Sequence, residues 1–214
     1  DQLLQIDKKI KISKKEILKD YYLINESRQL SLLGRKEVFM GRAKFGVFGD
    51  GKELAQIAMS KVFENGDIRS GYYRDQTFMM AIDQLTSNQF FSQLYSHTDV
   101  KKDPHSAGRQ MNCHFATRML NDSGEWKTLT DIKNSTSDIS CVAGQMPRLI
   151  GLAYASKLYR NNSSLSNEQN FSINGNEVAF GTIGDAGTSE GHFWETMNAA
   201  GVLQIPLVMS IWDD

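Results

Sequence analysis

Two carboxylates and a run of small residues carry the clearest chemistry in this sequence. Gly184-Asp185-Ala186-Gly187-Thr188-Ser189-Glu190-Gly191 stands between a strand-like run and a helix-like run. Small side chains there let backbone N–H groups come close to a phosphate, and the helix N-terminus behind them favours negative charge. Asp185 falls at the carboxyl end of its strand, where open α/β sheets bind ligands. Asp214 lies 29 positions later, at the carboxyl end of the next strand. Adjacent parallel strands would bring the two carboxylates together. A carboxylate beside a diphosphate is best explained by a shared Mg²⁺, a hard cation that takes oxygen ligands. The competing reading is an ordinary Gly-rich βα turn with incidental acids, and the turn alone does not separate the two.

The elements that must position these groups follow from patterning. Residues 177–183 read as a strand, 189–203 as a helix and 206–211 as a second strand, together one βαβ unit. Both strands are continuous apolar runs, as expected of a buried parallel sheet. Upstream, residues 1–13 are polar and Lys-rich, an extended arm. Ile17, Tyr21, Ile24, Leu30 and Leu33 recur at helical spacing, which predicts a long helix over 14–42. Residues 46–51 are a turn-rich break. Asp50 is placed to cap a helix over 52–63, and a short strand follows over 68–72. Short helices are predicted over 76–85 and 88–95. Residues 97–138 are dense in Asp, Ser, Asn, Gly and Lys and read as one long loop, a length that is usually functional. Residues 145–160 form a helix with Gly151, Ala153 and Ala155 among its small residues, and 161–176 a polar connector. The expected class is α/β: a parallel sheet flanked by helices, preceded by a helical N-terminal arm. The expected division is arm and helix over 1–45 and the α/β domain over 46–214.

Composition narrows the setting. The chain has 214 residues, is 40% hydrophobic and has a formal net charge of −1. That content suffices for a real core, and the charge lacks the basic imbalance of a nucleic-acid binder. No apolar run approaches the ~18 residues of a membrane span, and there is no secretory leader. Cys113 and Cys141 make no disulfide framework. Neither sits in a CxxC pair, so zinc is not expected. A reducing, cytoplasmic setting is the simplest reading. The sequence starts at Asp1 and stops at Asp214 on the tip of a strand-like run, so the α/β domain is expected to be truncated on its C-terminal side.

Residues 184–214 resemble the thiamine diphosphate motif of the 2-oxo acid dehydrogenase family, which opens Gly-Asp-Gly and closes Asn-Asn after a helix and a strand. The match takes in Glu195, Asn198 and Pro206 without a gap. It departs in two places. Ala186 stands for the third motif residue, Gly, and Asp213-Asp214 stand for Asn-Asn. An acid at 214 keeps an oxygen ligand and adds charge. Three upstream blocks extend the resemblance. Gly71-Tyr72-Tyr73-Arg74-Asp75 is similar to the family's Tyr-Arg-Asp segment. Gly108-Arg109-Gln110-Met111-Asn112-Cys113-His114 is similar to the Gly-Arg-Gln-Met-Pro-x-His loop of the branched-chain enzymes. Ile139-Ser140-Cys141-Val142-Ala143-Gly144-Gln145-Met146-Pro147 is similar to the Ser-Ser-Pro-Leu-Ala-Thr-Gln-x-Pro segment. The blocks cover residues 50–214 in the family's order. Any one is weak; the ordered set is specific.

The resemblance implies a thiamine diphosphate-binding fold and oxidative decarboxylation of a 2-oxo acid, with the acyl group passed to a lipoyl carrier. It implies that Tyr73 and Arg74 contact the cofactor diphosphate, a role that suits the planar fork of arginine. The 186–187 backbone, at Ala186 and Gly187, shares that clamp. Ser140 and Val142 contact the cofactor, Asp185 and Asp214 hold Mg²⁺, and His114 faces the reacting centre, where imidazole can move a proton near neutral pH. A potassium ion binds the 139–144 segment in some relatives, and Ile139 and Gly144 replace two hydroxyl residues of that segment. The loop block leans toward branched-chain substrates of the 2-oxoisovalerate type. Pyruvate and acetoin enzymes are the alternatives, together with a degenerate, non-catalytic module of the same fold or another Mg²⁺–phosphate enzyme. In this family a second, beta-type domain or subunit supplies the glutamate that activates the aminopyrimidine. No stretch here matches that domain. The expected partners are therefore that complement, a lipoyl-bearing acyltransferase component and a 2-oxo acid, in a dimer or heterotetramer, and no turnover is expected of this chain alone.

Overall fold

The computed structural model describes residues 12–213; most of the N-terminal arm, and Asp214, lie outside the described residues. Four parallel strands form one sheet in the order β2-β1-β3-β4: β1 (Ile68–Ser70), β2 (Asn134–Ser135), β3 (Ala179–Gly184) and β4 (Leu207–Trp212). All run the same way, so their carboxyl ends share one edge of the molecule. β3 and β4 pair residue for residue from Ala179–Leu207 to Gly184–Trp212. Parallel strands need long crossovers, and helix α6 (Gly191–Leu203) makes the one between β3 and β4.

Side chains of a strand alternate between faces, and β3 shows both. Ala179 and Ile183 join Met146, Leu149, Ala153 and Phe193 in a cluster under α5 (Met146–Asn161) and α6. Phe180 joins the opposite cluster with Phe63, Phe78, Met79, Phe90 and Phe115. There Phe63 meets the rings of Phe78 and Phe180 edge-on at 5.1 and 4.9 Å. That second layer is built from α1 (Lys14–Phe39), α2 (Glu53–Ser60), α3 (Gln76–Ala81) and α4 (Ser87–Leu94). The α/β expectation is met, with helices on both faces.

Several local expectations need correction. β3 is buried throughout, but β4 is the edge strand among the described residues, and its Val208 and Ile211 are exposed. Helix α1 buries Ser27, Leu30, Ser31 and Gly34 rather than the apolar series. Of that series Leu30 is buried and Ile24 half-buried, whereas Ile17, Tyr21 and Leu33 are exposed. Asp50 does not cap α2: Lys52 holds that position, and Asp50 takes Arg35 at 2.8 Å instead. The 97–138 stretch is not one loop. It contributes β2 to the sheet, and Asp103 braces its start by accepting from the Ser106 hydroxyl (2.7 Å) and the Gly108 N–H (2.9 Å).

Candidate active site

A cleft of about 330 Å³ opens at the carboxyl ends of β1 and β3. Tyr73, Arg74, His114, Ser140, Val142, Ala186 and Gly187 all line it, so four blocks spread over more than a hundred residues converge on one place. Asp185 sits at its edge, with its carboxylate 3.8 Å from the Arg74 guanidinium.

The turn that presents Arg74 is a single 3₁₀ turn, Tyr73–Asp75. Buried Gln56 ties it to helix α3: its amide N–H donates to the Arg74 carbonyl (2.6 Å) and its oxygen accepts the Phe78 N–H (2.8 Å). The guanidinium then packs against Gly184. A Cβ at 184 would stand 2.4 Å from Arg74 Nη1, so only glycine admits this pose. Arg74 also donates to the Tyr72 hydroxyl (3.3 Å) and lies over the Tyr72 and Tyr73 rings. Burial pushes the Tyr72 phenol well above its ordinary pKa, so it stays a neutral hydroxyl.

Beneath the turn is a fully buried ionic network that sequence reasoning missed. Arg69 on β1 donates through Nε to Asp75 (2.6 Å), through Nη1 to Ser135 on β2 (2.7 Å), and through Nη2 to Asp138 (3.0 Å) and the Tyr72 carbonyl (3.0 Å). Asp75 also accepts from the Thr182 hydroxyl on β3 and from Trp212 Nε1 on β4 at 2.7 Å. All four strands thus meet at one charge cluster. Burial works against the Arg69 charge, but Asp138 and Asp75 outweigh it and its pKa is raised. Burial pushes the Asp138 carboxyl above the usual range despite Arg69. Asp138 also accepts the Phe115 N–H (3.0 Å), which fixes the backbone beside His114.

His114 is 5% exposed. Its Nδ1 faces the Asn112 carbonyl at 3.2 Å and its Nε2 the Ser140 hydroxyl at 2.9 Å. Proton on Nδ1 therefore leaves Nε2 as the acceptor from Ser140. Asn112 clamps the 45–47 loop: its Nδ2 donates to the Val47 carbonyl (2.6 Å) and its Oδ1 accepts the Val47 N–H (3.0 Å). That clamp brings Phe45 and Val47 into the cleft wall, a placement no local pattern announces. Cys113 is buried, and burial pushes its thiol up, away from reactivity.

Two departures from the family pattern have structural readings. Asp185 and the following turn, Ala186–Ser189, keep helical backbone with no positive φ, so a methyl at 186 is unstrained. At Ile139 and Gly144, which replace hydroxyl residues in a separate block, a Cβ on Gly144 would fall 2.6 Å from Ile139 Cδ1. The isoleucine fills the space a larger residue at 144 would need. Hydrocarbon closes this segment where the potassium-binding pattern has two hydroxyls, and the residues present do not fit that ion. Among the described residues, no group of three or more His, Cys, Asp or Glu is placed to hold a metal.

An all-parallel α/β sheet with a cationic turn and a small-residue turn at its carboxyl edge defines a domain for an anionic cofactor or substrate. The family described as "Dehydrogenase E1 component" matches residues 28–212, and the chain belongs to it. Among its relatives, the 2-oxoisovalerate dehydrogenase subunit alpha 1, mitochondrial, of Arabidopsis thaliana is 27% identical over 78% of this chain and 29% of its own length. The 2-oxoisovalerate dehydrogenase subunit alpha of Bacillus subtilis (strain 168) is 25% identical over 78% of this chain and 42% of its own length. The corresponding mitochondrial subunit of Mus musculus is 24% identical over 92% of this chain and 37% of its own length. The chain thus spans less than half the length of the curated relatives it matches.

Proposed function

We propose that the chain is the alpha-type part of a thiamine diphosphate-dependent 2-oxo acid dehydrogenase, acting on branched-chain 2-oxo acids of the 2-oxoisovalerate type. The convergence of the four blocks on one cleft carries this reading. The donor set fits the cofactor. Arg74 and the small-residue turn at Ala186–Gly187 supply charge and close backbone for a diphosphate, and Val142, Ile183 and Met111 supply apolar wall for the rings. When bound, thiamine diphosphate supplies the carbon nucleophile and electron sink for decarboxylation. Tyr73, Arg74, Ala186 and Gly187 hold its diphosphate end, and Asp185 with Asp214 holds Mg²⁺. Ser140 and Val142 orient its ring end. Ser140 keeps the His114 imidazole aimed at the cleft, and His114 holds or moves a proton at Nε2 beside the 2-oxo acid.

Among the described residues no acidic side chain lines the cleft. In this reading the activating carboxylate comes from a complementary beta-type domain or subunit, and a lipoyl-bearing acyltransferase component accepts the acyl group. The assembly is a dimer or heterotetramer. The reading includes a reducing, cytoplasmic setting, in which the free thiols of Cys113 and Cys141 persist.

The test is to assemble the chain with its complementary half and measure melting with thiamine diphosphate plus Mg²⁺. A ligand at ~100 times its dissociation constant adds about 2.7 kcal/mol, so a clear upward shift is expected, lost in Arg74→Ala. Decarboxylation of 3-methyl-2-oxobutanoate should accompany it. No shift in the assembled protein would reject the reading.

A further inference from the structure

A second cavity, of about 460 Å³, adjoins the cleft, and Phe45 and Met111 line both. Among the described residues its wall carries three cations, Arg42, Lys44 and Arg109, and no carboxylate. Arg42 is already engaged by Glu37 at 3.2 Å. Lys44 and Arg109 are both exposed, and among the described residues no acidic group pairs with either. Charged side chains at a protein surface usually stand among opposite charges. Here two uncompensated cations line a hollow that shares two partly exposed apolar side chains, Phe45 and Met111, with the cleft.

We propose that this cavity is an anion-capture subsite: Lys44 and Arg109 draw in the carboxylate of the incoming substrate and hand it past Phe45 and Met111 to the cleft. The inference rests on the proposed function, because a 2-oxo acid is an anion at neutral pH. An anion entering a cleft with mainly apolar walls must shed water, which is unfavourable unless charge guides it. Uncompensated cations at a cleft mouth raise local anion concentration and association rate by about ten- to a thousandfold. The reach of such a field is limited to a Debye length of about 8 Å at physiological salt. The subsite therefore acts on capture, at the entrance, and not on the bond-breaking step. Neither residue belongs to the cofactor-binding set, so cofactor affinity and the chemical step should be indifferent to both.

The experiment compares the assembled protein with a Lys44→Gln/Arg109→Gln variant and a charge-keeping Lys44→Arg/Arg109→Lys variant. Thiamine diphosphate binding, steady-state kinetics with 3-methyl-2-oxobutanoate, and binding of that acid without cofactor by ligand-observed NMR are followed from about 20 to about 300 mM NaCl. The neutral variant should lose about tenfold in kcat/KM at low salt, through KM with kcat kept. The loss should shrink at high salt and be absent in the charge-keeping variant, with cofactor binding the same in all three. Equal kcat/KM at low salt, with cofactor bound and turnover intact, would overturn the subsite and leave the proposed function standing. Should cofactor binding and turnover fail altogether, the NMR arm still decides. Weaker 2-oxo acid binding by the neutral variant supports the anion subsite, and unchanged binding overturns it.

Discussion

Asp75 receives four donors: the Arg69 guanidinium, the Thr182 hydroxyl, the Trp212 indole N–H and the Tyr72 backbone N–H. It was visible in the sequence only as the third residue of Tyr-Arg-Asp. Its partners lie 3, 6, 107 and 137 positions away, and nothing local marks a charge on a buried strand such as Arg69 as structural. Removing one member of a buried ion pair costs about 3–5 kcal/mol because the other charge is stranded. Asp75→Asn should therefore lower the melting temperature by on the order of 10 °C. Thermal unfolding followed by circular dichroism checks this, and a drop of only a degree or two would show that the network is not needed. A second residue sets a pH dependence. His105 packs against Phe115 at 5.5 Å, its Nε2 has no partner among the described residues, and burial lowers its pKa. A histidine held neutral contributes stability that is present above the unfolded pKa near 6.5 and is lost as pH falls through the lower folded value. Melting temperature should fall as pH drops below about 6.5, and His105→Gln should flatten that part of the profile.

At the scale of elements, β3, α6 and β4 were legible because apolar runs, small turn residues and helical spacing agreed there. Helix α1 was legible in extent but not in orientation. Its core-facing stripe sets Leu30 among Ser27, Ser31 and Gly34, three small residues that let helices approach closely and that an apolar count overlooks. The 97–138 stretch misled for a related reason: β2 is two polar residues, Asn134 and Ser135, which pair with β1 through the backbone and are held by side-chain hydrogen bonds rather than by hydrophobicity. Two element-scale outcomes follow. Gly184→Ala places a methyl where Arg74 lies. Loss of one charge-assisted contact worth about 1.5–3 kcal/mol should weaken thiamine diphosphate binding by roughly ten- to a hundredfold, with the fold kept, as calorimetry on the assembled protein would show. The Ile139–Gly144 contact leaves the cofactor-facing segment without hydroxyls at either position. Exchanging KCl for NaCl should then leave the melting temperature within about 1 °C, since an ion that does not bind the native state cannot stabilise it.

At the scale of the molecule, the four motif blocks could be matched one by one, but their meeting in one cleft could not be read from any of them. Order along the chain carried that information only through the resemblance. The walls from Phe45 and Val47 were invisible, since they enter through Asn112, 65 positions beyond Val47. The whole-molecule expectation is that the isolated chain does not turn over 3-methyl-2-oxobutanoate, because its cleft has no acidic side chain among the described residues. Adding the complementary half should switch on decarboxylation. Carbon dioxide release by the isolated chain, above a His114→Ala background, would refute this.

The meeting of all four strands at Arg69 also orders events in time. A ribosome delivers β1 and its arginine early and β4 with Trp212 more than a hundred residues later. Until then Asp75 lacks its indole donor and Arg69 cannot be sealed from water. Pairing of β4 with β3 is a late, long-range step, of the kind that slows folding. The Arg74 turn, anchored through Asp75, settles only after that step. A nascent chain thus lacks a settled Arg74 turn, and with it the proposed diphosphate clamp, until β4 has paired with β3.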